Sequence, residues 1–289
     1  MEGRGLDTWR RALAEWAIPE EILARAPEPP WTLPAELFAR RADAQLEERH
    51  SLSLARAEES LRPSGTLLDI GAGAGAASLP LAGCATRLVA VDNDPAMLDQ
   101  LRPRAGRLGI ELLAIEGTWP EVADRTPVCD VTVCSNVLYN VPDLAPFVRS
   151  MTERTRRRVV VEITANHPAS SISPLWKRFH GIERPDRPTW EDAVRALAEV
   201  GVSPRVEHEP QAGGRTLAGS FPEYVAWTRR RLCLSPDRDP EVGQALTELG
   251  AEPGRPDSWI ARPNGAVILW WDITGAAWRA DPAQRIETG

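Results

Sequence analysis

The sequence is poor in several residue types, and each shortage disfavours a class of protein. Its four cysteines have no CxxC spacing, so we expect buried free thiols rather than disulfides or a metal site. Lys177 is the only lysine and the net charge is −7, which disfavours a broad face for nucleic acid. No run of 18 apolar residues occurs, and the charged start MEGRGLDTWRR is unlike a signal peptide. We therefore expect a cytoplasmic protein without a membrane partner.

The 289 residues, 43% of them hydrophobic, suffice for one large α/β domain with an added segment, or for two small domains. Helical periodicity covers residues 7–26 and 34–61, and the proline-rich stretch APEPPWTLP separates the two. These segments, with Trp31 and Phe38 on an apolar face, predict an N-terminal helical cap over residues 1–62. The main domain is then expected over residues 63–289.

Beyond residue 62, strand-like and helix-like segments alternate. The predicted strands are 66–70, 87–92, 111–115, 129–135, 157–163, 203–209 and 266–274. The predicted helices are 75–83, 95–107, 120–125, 143–154, 189–200, 221–233 and 239–250. This alternation predicts an α/β fold with a doubly wound, mostly parallel sheet, and a helical insertion at about 215–255 before the last strand.

The stretch LLDIGAGAGAASLPLAG, at residues 67–83, predicts a strand, a glycine turn and a helix. Two ligand classes fit such a turn. Gly71, Gly73 and Ala76, with Asp92 about 20 residues on, satisfy the dinucleotide fingerprint. Asp69, however, places a carboxylate before the turn, where it would repel a pyrophosphate and attract a cationic ligand. Residues 69–75 thus read D-x-G-x-G-x-G, and this pattern favours the cationic ligand.

Successive motifs of the chain resemble those of class I S-adenosylmethionine-dependent methyltransferases. They are LLDIGAGAGAASLPLA, LVAVDNDPAML, LLAIEGTWPEV, CDVTVCSNVLYNVPDLAPFV and RRVVVEI, and they cover about residues 64–165. The chain is also similar to an actinobacterial-type group of methyltransferases, which implies no substrate. The resemblance implies a Rossmann-like methyltransferase fold whose seventh strand is antiparallel, and S-adenosylmethionine as cofactor.

The resemblance also implies a set of cofactor-binding residues. These are Asp69, Gly71, Gly73, Gly75, Asp92, Asn93, Met97, Gly117, Thr118, Trp119, Ser135 and Asn136. In that reading the glycines enclose the methionine part near Asp69, and Asp92 accepts hydrogen bonds from both ribose hydroxyls. Where the family commonly has Gly-Asp this chain has Gly117-Thr118, so Thr118 takes the place of the usual carboxylate. Trp119 is either an adenine-facing ring or a core residue.

The methyl acceptor is expected outside the carboxyl ends of the fourth and fifth strands. Candidates for binding it are Tyr139, Asn140, Glu162, Asn166, His167 and, on the long connection 173–190, Trp176 and His180. A hydroxyl or ammonium acceptor needs a base, for which His167 is the first choice and His180 the second. Tyr139 is placed with them as a candidate catalytic residue.

The expected function is methyl transfer to O or N of a small, partly apolar molecule. A nucleic-acid methyltransferase is an alternative, although SNVLYN is not the D/N-P-P-Y/F-type segment of amino methylases. A dinucleotide oxidoreductase and a non-catalytic cofactor-binding protein also stay open. A monomer and an oligomer are both compatible with the sequence.

Overall fold

A seven-stranded sheet forms the centre of the protein, in a computed structural model that describes residues 4–31, 35–47, 51–209, 218–259 and 265–274. Its strands are β1 Gly65–Ile70, β2 Ala85–Asp92, β3 Glu111–Glu116, β4 Cys129–Ser135, β5 Thr155–Thr164, β6 Arg205–His208 and β7 Ala266–Asp272. Their order is β3-β2-β1-β4-β5-β7-β6, and β7 is antiparallel to both of its neighbours. The predicted doubly wound, mostly parallel sheet is confirmed, including every predicted strand.

Helices lie on both sides of this sheet. The described residues form α1 Arg4–Ala14, α2 Glu20–Leu23, α3 Ala35–Glu47, α4 Leu52–Leu61, α5 Pro95–Leu108, α6 Leu144–Glu153, α7 Ser173–His180, α8 Trp190–Glu199, α9 Phe221–Arg231 and α10 Asp239–Glu248. The central strands are apolar on both faces, as is typical of parallel sheets covered on both sides. Leu68 contributes to the core beneath α1, α6 and α8, whereas Leu67 contributes to the core beneath α4 and α5.

A third apolar cluster lies apart from the two faces of the sheet. It joins α7, α9 and α10 to Ile18 and Ile22 of the N-terminal segment. The helical insertion predicted at about 215–255 therefore packs on α7 and on the region of α2, although its residues 215–217 lie outside the described part of the chain.

The helix predicted at 75–83 is wrong, because only one 3-10 turn, Leu79–Leu81, follows the glycine turn. Glycines at positive φ and the imino nitrogen of Pro80 disfavour a regular α-helix over so short a segment. Its place on the sheet is partly taken by α4, whose Leu54, Ala57 and Leu61 lie in the core beneath it. The helix predicted at 120–125 is likewise reduced to a 3-10 turn, Ala123–Arg125.

The two N-terminal periodic runs each contain two helices rather than one. Pro19 restricts the preceding Ile18 to extended backbone, and this break separates α1 from α2. The connection 173–190, expected to be a long loop, begins with α7. The boundary at residue 62 between a cap and a main domain stays a prediction, and α4 lies on the cap side of it while packing directly on the sheet.

Two features of the described residues concern membranes and metals. None of their helices combines the length and apolar character needed to cross a membrane. None of their histidine, cysteine and carboxylate side chains cluster in a way that would hold a metal ion.

Candidate active site

The glycine turn after β1 has three glycines with positive φ, at 72° for Gly71, 52° for Gly73 and 94° for Gly75. A Cβ on Gly71 would lie 2.3 Å from Cγ2 of Val137, and one on Gly75 would lie 2.4 Å from Cδ1 of Leu101. A Cβ on Gly73 would meet no described atom within 4 Å. Packing thus requires glycine at positions 71 and 75, whereas position 73 borders open space that a ligand can enter.

Asp92 ends β2 directly beside this open position. Its Oδ2 accepts a hydrogen bond from the Gly73 amide at 2.7 Å, and its Oδ1 accepts one from the Asp94 amide at 2.9 Å. These two bonds fix the carboxylate in one orientation. Because a carboxylate has about four acceptor positions, each oxygen keeps capacity for a further donor. The half-buried Asp92 is therefore fitted to bind a ligand diol at the edge of the sheet.

Asp69 lies beneath the turn and is fully buried, and neither of its oxygens has a hydrogen-bond partner among the described residues. Burial raises the pKa of Asp69 to about 7, with the nearby Ser78 hydroxyl opposing the rise and the Asp92 carboxylate adding to it. An uncompensated buried acid of this kind is stabilised by a cation. Asp69 therefore favours a ligand with a cationic group over a pyrophosphate.

Polar side chains connect the ends of β4 and β5. Glu162 accepts hydrogen bonds from Ser53 of α4 at 2.5 Å and from Ser135 at 3.3 Å, while Asn136 donates to the Ser135 hydroxyl at 3.1 Å. Asn136 has a φ of 59°, so its backbone is in the left-handed region where the chain leaves the sheet. Beside this network lies a cavity of about 10 Å³, large enough for about one water molecule.

On the β3 side, the predicted adenine-facing residues divide between surface and core. Asn93 and Thr118 are exposed, Gly117 has a φ of 149°, and Met97 is buried in the first turn of α5. The Trp119 side chain lies in the core, and its indole N–H donates to the Phe147 carbonyl at 3.1 Å. Trp119 thus packs as a core residue, the second of its two interpretations.

Helix α3 lies over the glycine turn. Its Ala39 and Ala42 are buried with Ala74 of the turn. A fork of two hydrogen bonds fixes α3 to α5, since the Arg104 guanidinium donates to Asp43 at 2.9 and 2.7 Å. This arrangement covers one side of the candidate cofactor site.

Asp43→Ala is expected to loosen α3, because it leaves the nearly buried Arg104 guanidinium without its carboxylate. Losing a hydrogen-bonded partner of a charged group costs about 1–3 kcal/mol. Amide hydrogen exchange within α3 should therefore accelerate about tenfold, while exchange in the β-sheet stays unchanged. Asp99→Ala serves as the control, because Asp99 and Arg102 form an exposed pair at 3.8 Å. If amide exchange within α3 were unchanged in the Asp43 variant, the Asp43–Arg104 pair would not be what holds α3 against α5.

On the acceptor side, Tyr139 is fixed within the core. Its hydroxyl donates to the Thr164 carbonyl at 2.9 Å, and its ring stacks on Trp9 at 5.4 Å between centroids. Burial raises the pKa of the phenol. Tyr139 is therefore a protonated, hydrogen-bonded residue that supports the site from below.

His167 has contacts of a structural residue. Its ring stacks on Trp16 with centroids 4.0 Å apart, and Nδ1 accepts a hydrogen bond from the Ala169 amide at 3.2 Å. Burial, reinforced by the charges of Arg231 and Arg184, lowers the pKa of His167 to about 3. The ring is thus neutral at physiological pH with Nδ1 engaged, which favours a capping and positioning role over that of general base.

The other predicted acceptor residues are spread over the same region. Trp176 is buried in the cluster of α7, α9 and α10, and its ring lies 4.8 Å from that of His180. His180 Nε2 lies 2.7 Å from the Leu232 carbonyl, so this nitrogen donates and carries the ring proton. Asn140 and Asn166 are exposed at the strand ends.

The sequence-based prediction of the site missed four residues on the acceptor side, namely Ser53, Trp16, Arg184 and Arg231. Ser53 comes from the N-terminal helices and reaches Glu162 across 109 positions of sequence. The Arg184 guanidinium lies 5.2 Å from the centroid of the Trp16 ring that covers His167. The only sequence signal for Arg184 was its place in the Arg- and Trp-rich connection 173–190, and no signal pointed to the others.

Comparisons with known proteins identify a methyltransferase domain within the chain. Residues 67–158 match the sequence model of a family described as "Methyltransferase domain". Over 117 residues the chain is 32% identical to a ubiquinone biosynthesis O-methyltransferase from Azorhizobium caulinodans, a match that covers 39% of this chain. The chain spans about half of that relative's length, 46%.

Of two similar solved structures, the first has a TM-score above 0.5 and shares the fold of the chain. A candidate sarcosine dimethylglycine methyltransferase from Galdieria sulphuraria matches with a TM-score of 0.51 and 16% identity, over 81% of this chain and 86% of that one. A magnesium protoporphyrin IX methyltransferase from Synechocystis with bound SAH matches with a TM-score of 0.47 and 13% identity, over 94% and 95%. Residues 67–158 thus form a methyltransferase domain, and the matches to this family and to an O-methyltransferase support a class I S-adenosylmethionine-dependent methyltransferase.

Proposed function

We propose that this protein transfers a methyl group from S-adenosylmethionine to O or N of a small, partly apolar molecule. The observation that carries the proposal is the open backbone of Gly73 with the Asp92 carboxylate fixed 2.7 Å from its amide. S-adenosylmethionine, when bound, supplies a methyl group activated by the adjacent sulfonium. The chain must then bind both substrates, orient them and exclude water.

The residues fit this cofactor in three respects. Asp92 can accept hydrogen bonds from a ribose diol, and Gly73 leaves the room that a close backbone approach needs. The charge of Asp69 stabilises the cationic end of the ligand from below the turn, and Ser135 and Asn136 border the same edge of the sheet. A dinucleotide is disfavoured, because its pyrophosphate would approach the buried Asp69 carboxylate beneath the turn.

The N-terminal helices orient the two substrates and exclude water from the site. Helix α3 covers the glycine turn through Ala39 and Ala42, and Trp16 covers His167 at the acceptor side. These contacts of α3 and Trp16 support a cap formed by residues 1–62. Phe38, a half-buried residue of α3, also contributes to it. Trp31, by contrast, is 63% exposed and covers no part of the site.

Proton transfer does not require the two histidines. His167 is neutral and its Nδ1 lone pair accepts from the Ala169 amide, while the His180 ring is held by donation from Nε2 to the Leu232 carbonyl. Glu162 lies at the end of β5 and accepts from two hydroxyls, which makes it a proton acceptor close to Ser135. An amine acceptor that is already neutral needs no base, and we therefore favour methyl transfer that does not depend on a histidine.

The small, partly apolar acceptor is supported by the aromatic character of the region. The His167 ring contacts Trp16 and Tyr139, and the Arg184 guanidinium lies between the Trp16 and Trp176 rings. Small-molecule sites combine such apolar walls with a few placed polar groups. A nucleic-acid substrate would instead need a broad basic face, whereas the chain has a net charge of −7. Cytoplasmic location and the actinobacterial type stay predictions.

The decisive experiment supplies the purified protein with methyl-labelled S-adenosylmethionine and a fractionated metabolite extract. Labelled small molecules and S-adenosylhomocysteine should appear together. Label in added RNA alone would favour the nucleic-acid alternative. Tight cofactor binding without label transfer to any fraction would favour a non-catalytic binding protein.

Asp92→Asn is expected to weaken S-adenosylmethionine binding about tenfold, because the amide replaces one charged acceptor by a donor. This corresponds to about 1.4 kcal/mol, near the lower end of the range for a hydrogen bond to a charged group. Calorimetric titration measures the effect. Asp124→Asn, at a fully exposed side chain, is the control and should bind as the wild type does. Equal affinity in a folded Asp92 variant would remove Asp92 from the cofactor site.

A further inference from the structure

Helices α3 and α9 lie over different strand ends of the same edge of the sheet. Helix α3 packs on the turn that follows β1, through Ala39 and Ala42. Helix α9 packs in one apolar cluster with Ile172 and Trp176, which belong to the segment that follows β5. In the sheet, β4 lies between β1 and β5. The two helices therefore flank the carboxyl end of β4, where the chain leaves the sheet at Ser135.

A charged pair connects these two helices directly. Arg40 of α3 donates to Glu223 of α9, with Nη2 2.5 Å from Oε1. The other carboxylate oxygen of Glu223 accepts a hydrogen bond from the Gly219 amide at 2.6 Å, which fixes the side chain at the start of α9. Among the described residues, Glu223 is the only polar partner of the Arg40 side chain. The Arg40 guanidinium thus serves this one connection.

The connection is exposed and polar, unlike the packing that supports each helix. The apolar cluster of α9 contains no described residue of α3, and the cluster of α3 contains none of α9. The side chains of Arg40 and Glu223 are 50% and 36% exposed, so that water and salt reach the pair. Exposed ion pairs are weak and are screened by salt. The pair can therefore break and form again while both apolar clusters stay intact.

Each helix also has a polar support that does not involve this pair. The Asp43–Arg104 fork fixes α3 to α5. Arg229 of α9 pairs with Glu28 of the N-terminal segment and with Asp239 of α10. Breaking the Arg40–Glu223 pair would thus separate α3 from α9 locally without releasing either helix from the rest of the protein.

We infer that Arg40 and Glu223 form a latch, which closes the cap onto the helical insertion across the carboxyl end of β4 and opens for exchange of the cofactor. This inference rests on the proposed function, because it takes that edge of the sheet as the site of methyl transfer. Methyl transfer needs a site closed to water, whereas S-adenosylhomocysteine must leave after each turnover. A weak pair between two well-supported helices meets both needs, since it closes the site reversibly.

The test measures how fast tritium-labelled S-adenosylhomocysteine binds to the purified protein and how fast it leaves when excess unlabelled ligand is added. Arg40→Gln should accelerate binding and release together about fivefold and change the dissociation constant less than about twofold, because the open form gains in both the free and the bound protein. A factor of five corresponds to about 1 kcal/mol, the upper end of the range for an exposed ion pair. Arg62→Gln is the matched control and should exchange ligand as the wild type does. It breaks the exposed Arg62–Glu58 pair at the amino edge of the sheet.

Two further measurements separate the latch from a general loosening of the protein. Raising the salt concentration from about 0.1 to about 1 M shortens the Debye length from about 10 to about 3 Å. Release should then accelerate in the wild type and stay unchanged in Arg40→Gln. Glu223→Gln keeps an acceptor for the Gly219 amide and should behave as Arg40→Gln does. The double variant should be no faster than either single variant, because both remove the same interaction.

Unchanged exchange rates in Arg40→Gln, or faster release matched by an equal loss of affinity, would overturn the latch. Additive effects in the double variant would also overturn it, since the two side chains would then act independently. Should Arg40→Gln fail to fold, the salt dependence of the wild type decides, and release that is insensitive to salt would refute the latch. These measurements need no methyl acceptor. A failure to methylate any small molecule would therefore refute the proposed function and leave the exchange rates as they are, whereas absence of S-adenosylhomocysteine binding would refute both.

Discussion

Gly73→Ala is expected to lower the affinity for S-adenosylmethionine at least about 100-fold while the protein stays folded. The new Cβ would meet no described atom within 4 Å, so it enters only the space reserved for the ligand. Overpacking a rigid site costs about 1–3 kcal/mol, and 1.4 kcal/mol corresponds to a factor of ten. The upper part of that range applies here, because Asp92 fixes the Gly73 amide and limits relaxation of the turn.

A matched glycine separates the ligand effect from backbone strain. Gly109 has a φ of 67° and equally open surroundings, but it ends α5 away from the turn. Both alanine variants should lose about 1–2 kcal/mol of unfolding free energy from the left-handed backbone alone. Calorimetric titration and chemical denaturation should thus show equal stability losses, with the affinity loss confined to Gly73→Ala. An affinity near that of the wild type would mean that the ligand does not approach position 73.

The sheet could be predicted because each strand combines an apolar run with clear boundaries. The interior of β4, for example, is buried on both faces and lies between residues with turn signals. The helix predicted after the glycine turn was wrong for two reasons. Residues 75–83 are rich in alanine and leucine, but Pro80 and the glycine turn disfavour a regular helix locally. The packing of α4 on the same face of the sheet, which the local sequence does not indicate, covers the core there.

The candidate site likewise contains some residues that could be predicted from the sequence and others that could not. Gly73 and Asp92 lie at strand ends, so the chain order alone brings them to one edge of the sheet. Trp16 and Ser53 come from helices that precede the sheet, and nothing in their local sequence indicates where those helices dock. Arg231 is one of three consecutive arginines, and only the three-dimensional structure distinguishes it from its paired neighbour Arg229.

Asp69→Asn is expected to stabilise the ligand-free protein above pH 7 by about 4 kcal/mol. The pKa of Asp69 is raised to about 7 from 3.8, chiefly because burial disfavours the charged form. Each pKa unit is equivalent to 1.36 kcal/mol. Since the folded state holds its proton at a higher pH than the unfolded state does, the wild type should lose stability as the pH rises from about 4 to about 7. The asparagine variant carries no such proton and should lack this slope.

Asp130→Asn provides a control of opposite sign. Burial raises the pKa of Asp130, but hydrogen bonds from Thr66 and the charges of Arg157 and Arg156 outweigh it, so the pKa is lowered overall. Its charge therefore stabilises the folded state at neutral pH, and this contribution is lost as the pH falls below about 4. Urea denaturation at pH 5 and pH 8 should show the two variants diverging from the wild type in opposite directions at pH 8. A wild type as stable at pH 8 as at pH 5, relative to Asp69→Asn, would show that Asp69 ionises without cost. The buried carboxylate would then give no reason for the turn to prefer a cationic ligand.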